Sequence, residues 1–452
     1  MELKEKHKII TGSFNMFSGN IISSIFNFFK TLIIAKMLGP ATYGVYNILM
    51  VIFGYGISSH VGLVDGMNKQ MPYLRGKGDF AGSEKVKDVT FWAVSGITVF
   101  FCLVLVIAAL IFKSSLPSGL FGGLLILSIV ILSSQIYIAL TSLLRTDKKF
   151  GLLASNTVFL SICSLFFIFL FLMYHRNKLI GVLLGTLLGY FLSSLYILWK
   201  AKYKFKLSFD YSIIKNVFSI GFPLIIIQLG YSVLISIDRW MISGFFDKVN
   251  LGYYSIGITL NNFLYGAFSA VAFTVYPIML EKFGKTNNPK SSEQLIFMST
   301  MSLSYVLAIV CPAICFIIPP FIHYVLPAYS PSINCMIILI MSVYFTSITS
   351  ISGNFLVSIN KQNEILKIQG LTIILCIILD YIFIKTGLGI NGVAIATGIT
   401  YFFYGTSIMI TSFSNFTNDF SKLLVMIKKI YSPLLKIIPN HPVLSTLFIS
   451  SS

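Results

Sequence analysis

The chain has 452 residues, of which 56% are hydrophobic and 11% charged, and its formal net charge is +18. A soluble domain carries roughly 25% charged residues, and a soluble core of this size could not hide so much apolar surface behind a polar exterior. The bilayer resolves the conflict, because lipid is an apolar solvent; the positive charge sits in short clusters between apolar runs, which excludes a nucleic-acid footprint and reads as membrane topology.

Met1 to Ile10 is charged, and the apolar run that follows has no small-residue cleavage pattern, so it is expected to stay as the first membrane helix. Apolar runs occur at 13–37, 42–63, 89–111, 120–143, 151–173, 179–199, 217–241, 252–277, 296–318, 332–357, 368–386 and 390–412. At 1.5 Å of rise per residue most of these cross a hydrocarbon core of roughly 30 Å. The fold class expected is therefore an all-α membrane protein of about twelve transmembrane helices.

The link 200–216 divides the spans six and six. This gives an N-terminal lobe 1–199, a cytoplasmic linker 200–216, a C-terminal lobe 217–412 and a cytoplasmic amphipathic tail 413–452. The other long cytoplasmic links are 64–88 and 278–295. In the tail, the polar stretch from Ser414 to Asp419 precedes a basic, amphipathic segment around Lys422 to Ile430, which reads as a surface-lying helix. Pro433, Pro439 and Pro442 argue against a regular helix beyond it.

Basic residues choose the orientation. With both termini in the cytoplasm, only Lys36, Lys113, Arg176, Lys178, Lys248 and Lys385 of the 33 Lys and Arg fall outside, and Lys30 and Arg239 fall within spans. All the others lie in inside segments, as the positive-inside rule requires of a cell-membrane protein. The outside loops are short and hold Asp247, His175 and His323, too few convergent groups for catalysis.

The two halves share a pattern. A gapless slide that lays Tyr43-Gly44-Val45-Tyr46-Asn47 on Leu251-Gly252-Tyr253-Tyr254-Ser255 also lays Lys30 on Asp238 and Thr31 on Arg239. Parallel six-helix repeats of this kind are a transporter architecture, with the substrate site between pseudo-symmetric halves.

The charges inside the spans are the candidate site. Asn20, Ser23, Asn27 and Lys30 are spaced as one helical stripe, and a polar stripe on a membrane helix should face protein or water. The plainer alternative is that Lys30 snorkels to the outer interface, and for Lys36 at the end of span one snorkelling is the better reading on physics alone. Gln228, Ser232, Ser236 and Arg239 form a second stripe. Asp238 and Arg239 either neutralise each other or have separate partners, of which Lys30 is a candidate for Asp238. Asp380 in span eleven is the third intramembrane charge; it pairs with Lys385, caps, or serves function.

Other motifs carry no chemistry. Gly387-Leu388-Gly389-Ile390-Asn391-Gly392 matches a dinucleotide fingerprint, but it joins two apolar spans and has no strand before it. Its glycines read as a tight hairpin, and Gly181, Gly185 and Gly189 read as a helix-packing face. No Walker A sequence occurs, and the six cysteines read as small apolar core residues, so no cofactor or metal is expected.

Ala35-Lys36-Met37-Leu38-Gly39-Pro40 followed by Tyr43-Gly44 resembles the first-hairpin signature of oligosaccharide flippases, the polysaccharide transporters of the multidrug/oligosaccharidyl-lipid/polysaccharide (MOP) superfamily. Gly221-Phe222-Pro223, Asp238-Arg239, Leu251-Gly252-Tyr253-Tyr254 and the run from Gly389 to Thr397 are similar to later signatures of that family. The resemblance implies a MATE-like fold of two six-helix lobes facing a cavity. It implies a lipid-linked oligosaccharide as substrate, moved to the outer leaflet, with membrane lipids, a glycan polymerase and glycosyltransferases as further partners. Lys36 stands where the family usually has Arg, which raises its claim to a role; Asp380 stands where the family more often has Asn.

A polyprenyl phosphate or pyrophosphate head cannot cross hydrocarbon uncompensated. A wet cavity with Lys30, Arg239 and Lys36 would neutralise it, and Asn20, Asn27, Gln228, Asn261 and Asn262 would hydrogen-bond sugar, with Asp238 or Asp380 coupling an ion. The rival readings are a multidrug or cation antiporter of the same superfamily, which wants an acidic cavity, and a membrane glycan polymerase, which wants a catalytic outer loop.

Overall fold

A computed structural model of the chain describes residues 2–114, 116, 119–286, 288–417 and 419–437, with side chains from residue 18 onward except for a few, mostly within 270–285. Every regular element among these residues is helical. In chain order they are α1 (Glu2–Ile57), α2 (Leu63–Gly76), α3 (Phe80–Ile111), α4 (Leu120–Thr146), α5 (Phe150–Tyr174), α6 (Lys178–Ala201) and α7 (Tyr211–Leu234). Then follow α8 (Ile237–Phe245), α9 (Lys248–Thr286), α10 (Glu293–Val325), α11 (Ile333–Ser358), α12 (Gln362–Lys385), α13 (Gly389–Phe413) and α14 (Phe420–Ile437).

Ten helical stretches among the described residues are long and apolar enough to cross a membrane. The first contains two limbs, because α1 is broken at Gly39. With the limbs counted separately and the 39 residues of α9 added, twelve crossings result, so the all-α polytopic reading holds. Contacts group the chain into residues Met1–Ser232 and Val233–Ser452.

In the first unit, the break in α1 has a local cause. Gly39 takes φ 69° and ψ 166°, a region essentially closed to side chains, and Pro40 then opens the second limb with its φ already helical. Farther on, α5 and α6 pack closely through the glycine face anticipated from sequence. A Cβ on Gly181 would lie 3.1 Å from the Phe171 carbonyl oxygen, one on Gly185 2.6 Å from the Ile168 nitrogen, and one on Gly189 2.9 Å from the Ser164 Cβ. In lipid, where burial gives helices little drive to associate, such close approach supplies the dispersion contacts that hold them together. The start of α2 meets α7 in the same way, since a Cβ on Gly66 would fall 2.0 Å from the Val217 carbonyl oxygen.

The link between α6 and α7 carries no regular secondary structure from residue 202 to 210 and is stitched to α3 and to the end of α4. Asp147 accepts a hydrogen bond from Tyr203 Oη at 2.6 Å and from Arg75 Nη1 at 2.8 Å. Phe205 stacks on Phe91 with centroids 3.9 Å apart, and Trp92 Nε1 donates to the Lys206 carbonyl at 3.1 Å. Lys85 donates to Asp210 at 2.6 Å, and this bond, with others from Ser212 and the Ile213 amide, holds the Asp210 carboxyl well below the usual carboxylate range. Burial and the bond to Asp147 push the Tyr203 phenol above its ordinary value, so it stays a donor. Between these anchors Lys202, Lys204 and Lys206 alternate outward.

In the second unit α11 is central, packed by α9, α10 and α13. Its inner faces carry Ser342, Ser347 and Ser352, small enough for neighbouring backbones to close on it. Gly387 and Gly389, both at positive φ, turn α12 into α13, which confirms the hairpin reading of that motif.

Three expectations are corrected. Span seven is not one helix: it ends at Leu234 and resumes at Ile237, with Ser236 bonded to the Val233 carbonyl. The links 64–88 and 278–295 are largely helical, with α2 running through Pro72 to Gly76 and α9 running to Thr286. Pro433 lies inside α14, whose Leu423, Ile427, Ile430 and Leu434 are buried toward α10 and α13. The Lys429 carbonyl, which Pro433 leaves without its helical donor, accepts from Ser432 Oγ at 2.8 Å, and the Ile430 carbonyl accepts hydrogen bonds from Ser304 and Tyr344. Pro439 and Pro442 fall outside the described residues.

Two outcomes test these contacts. Gly185→Leu should separate α5 from α6, cost about 1–3 kcal/mol or more through overpacking, and lower the unfolding temperature of the detergent-solubilised protein; an unchanged transition would contradict the packing. Tyr203→Phe should loosen the 202–210 strap by about 1 kcal/mol, read as faster limited proteolysis in that segment.

Candidate functional site

The intramembrane charges singled out in the sequence fall, among the described residues, in two polar groups, one in each unit. In the first, α1 packs on α5 and turns most of its polar stripe toward it. Ser23 Oγ is 2.5 Å from Ser161 Oγ, and Asn27 Nδ2 donates to both hydroxyls at 3.4 Å. One turn on, Lys30 Nζ donates to Ser164 Oγ at 3.3 Å. Ser164 in turn donates to the Ser161 carbonyl, so its lone pairs are available to the ammonium.

This ladder has a packing origin. The missing side chain of Gly189 lets Ser164 sit against α6, and Ser161 and Ser164 then line the face that meets α1. Within the first unit no carboxylate among the described residues pairs with Lys30. A half-buried ammonium with three donors and one neutral partner is a cation with unused capacity. Asn20 is exposed and stands apart from the ladder, with its carbonyl accepting from Ser24. Lys36 is exposed near the end of the first limb of α1, three residues before the Gly39 break.

In the second unit, α8 carries Asp238 and Arg239. Asp238 is 2% exposed, and both carboxylate oxygens are engaged: Oδ2 accepts from Tyr254 Oη at 2.5 Å, and Oδ1 from the Arg239 amide at 2.7 Å. Tyr254 Oη also lies 2.9 Å from Thr397 Oγ1. Asp380 on α12, which packs on α8, is fully buried; Cys376 Sγ donates weakly to its Oδ2 at 3.7 Å, and Oδ1 has no protein partner. The Thr400 hydroxyl is likewise buried, beside the Cys376 thiol. Arg239 donates through Nη2 to the Ile235 carbonyl at 3.0 Å, which caps the end of the broken helix, while its Nε is unpartnered.

The stripe from Gln228 to Arg239 is therefore not one helical face, because the break at 235–236 cuts it, and Gln228 is exposed on α7. Asn261 is not available to a ligand: its amide donates to the Leu339 carbonyl at 2.7 Å and to Ser342 at 3.0 Å, which fixes α9 to α11. Asn262 beside it is exposed. Sequence reasoning missed Ser161, Ser164 and Thr397, and treated Tyr254 only as part of a repeat; their one signal is hydroxyl spacing at three to four residues in apolar runs. Among the described residues no group of three or more His, Cys, Asp or Glu is placed to hold a metal ion.

A family model described as polysaccharide biosynthesis protein matches residues 81–319, from the first turn of α3 into α10. The chain belongs to this polysaccharide biosynthesis family. Comparison with curated proteins found no match. Among solved structures, the family member is similar to the lipid II flippase MurJ in an inward closed conformation, with a TM-score of 0.68, 17% identity, and coverage of 98% of this chain and 99% of that one. It is also similar to a Vibrio cholerae MATE transporter (TM-score 0.64, 14% identity, 94% and 98% covered). A third match is a MOP superfamily transporter from Pyrococcus furiosus, described as having a binding pocket of reverse polarity (TM-score 0.60, 16% identity, 94% and 96% covered). At these identities the likeness establishes the MATE- and MurJ-type fold. The polysaccharide-family protein is thus a multi-pass membrane protein whose fold neighbours include a MATE transporter and a lipid II flippase.

Tyr254→Phe should leave the buried Asp238 with one fewer donor and cost about 1–3 kcal/mol. Thermal unfolding in detergent micelles checks this, and a midpoint equal to the parent's would show the bond to be dispensable.

Proposed function

We propose that this protein is a flippase that carries a polyprenyl-(pyro)phosphate-linked oligosaccharide across the cytoplasmic membrane by alternating access of the lobes 1–199 and 217–412. The observation that carries the reading is Lys30: an intramembrane ammonium that, among the described residues of its unit, has a serine hydroxyl for a partner and is paired with no carboxylate. A cation so deep in apolar helices is costly, and an anionic substrate head that arrives and leaves is what would compensate it. Arg239 with its unpartnered Nε, and Lys36 near the outer end of α1, are proposed to share the phosphate charge. Asn20, Asn27, Gln228 and Asn262 supply sugar hydrogen bonds. The family description and the flippase fold support this substrate class.

Asp238 and Asp380 are proposed as the ion-coupling pair. Asp380 keeps one oxygen without a protein donor, so a proton or small cation has somewhere to go. The same two acids are the observation that favours the rival, a cation or drug antiporter, which the fold also accommodates. The basic partition of the loops supports a cell-membrane location with both termini in the cytoplasm. No catalytic step is assigned, and glycosyltransferases and a glycan polymerase are partners that supply and consume the substrate.

Lys30→Ala should abolish surface glycan export at normal protein level, with Lys30→Arg retaining part of it; full export by the alanine variant, or cation efflux lost in its place, would overturn the flippase reading. Cysteine labelling at position 206 should be cytoplasmic and at position 248 external, and the opposite pattern would reverse the orientation.

A further inference from the structure

A basic cavity of about 590 Å³ opens at the end of the first unit where α1 breaks and α5 turns into α6. Leu38 and Leu179 line its apolar part, and Thr42, Asn177, Arg176 and Lys178 offer it hydrogen-bond donors. His175 completes the lining, and no lining residue carries a carboxylate. Lys178 is anchored across the break, since its Nζ donates to the Met37 carbonyl at 3.2 Å. The backbone turn at Gly39 thus brings that carbonyl, α1 and the α5–α6 loop around one opening.

In the orientation proposed above, this end faces outside. Positive charge is selected against there, and two of the protein's few outer cations lie in this one loop. An arrangement that spends disfavoured charge on a concave, acid-free, donor-lined site needs an anion to explain it. Next to the opening, Tyr174 is 83% exposed and Met173 61% exposed, side chains suited to the interfacial belt of the bilayer.

We propose that this cavity binds a phosphate group, with Arg176 and Lys178 as its cationic donors. Its use as the release point for the phosphate of a flipped lipid rests on the flippase reading; the binding itself does not.

The test uses the full chain in nanodiscs, with Cys102 and Cys163 replaced by serine and an environment-sensitive dye on Tyr174→Cys, outside the lining. Titration with short-chain phosphatidic acid should shift the dye, and the matching diacylglycerol should not. In the Arg176→Ala, Lys178→Ala double variant the midpoint should rise by about tenfold or more, as expected on losing two charge-assisted contacts. Lys113→Ala, an outer cation over the Phe121 ring and away from the lining, should leave it unchanged. Tighter binding of the lipid phosphate than of inorganic phosphate assigns a headgroup source, and equal binding assigns free phosphate. An unmoved midpoint in the double variant, or an equal response to diacylglycerol, would overturn the site. Binding lost with glycan export unchanged would overturn the release role alone, while the flippase reading stands or falls separately on Lys30→Ala.

Discussion

A charged or hydrogen-bonding side chain inside a bilayer must find its partner within the protein, on its own helix or on another, because lipid offers none. Much of the internal architecture follows from that constraint. Lys30 is met by Ser164, Asp238 by Tyr254, and Asn261 by the α11 backbone, and in each case the partner comes from a different helix. Such contacts form only if helices approach within side-chain reach. That explains why the glycines of α6 and the serines of α11 lie at packed faces and not toward lipid.

The two polar groups differ in how completely they are satisfied. The one around Asp238 is nearly closed, with both carboxylate oxygens occupied and the phenol of Tyr254 bridging on to Thr397. The one around Lys30 is open, with a single neutral acceptor. Asp380 lies between these cases, one oxygen weakly engaged and one not. A closed network holds a helix in place, whereas an open one has capacity for a ligand. The break between α7 and α8 belongs to the same pattern, since the carbonyl it frees at Ile235 is taken by Arg239, the residue next to the buried acid.

Outside the spans the logic changes to that of a wet surface. The strap 202–210 has no ladder of its own, and its hold comes from Lys85, Phe91 and Trp92 on α3 and from Asp147 at the end of α4. Exposed ion pairs such as Lys85–Asp210 contribute little singly, but the alternation of inward aromatic and outward lysine fixes which side of the strap faces water.

Composition, the lengths of the apolar runs and the spacing of Gly39-Pro40, Gly181-Gly185-Gly189 and Gly387-Gly389 determined the helical membrane fold, the first break and two of the tight contacts, because each depends on neighbours near in sequence or on hydrophobic length. The sequence also marked Lys30, Asp238 and Asp380, since a charge in an apolar run is conspicuous on its own. Only the tertiary structure decided that span seven is broken, that Asn261 is committed to α11, and that Ser164, Tyr254 and Thr397 are the partners. A serine or tyrosine in a membrane helix looks alike whether it faces a charge or a methyl group, and its role is set by which distant helix packs against it.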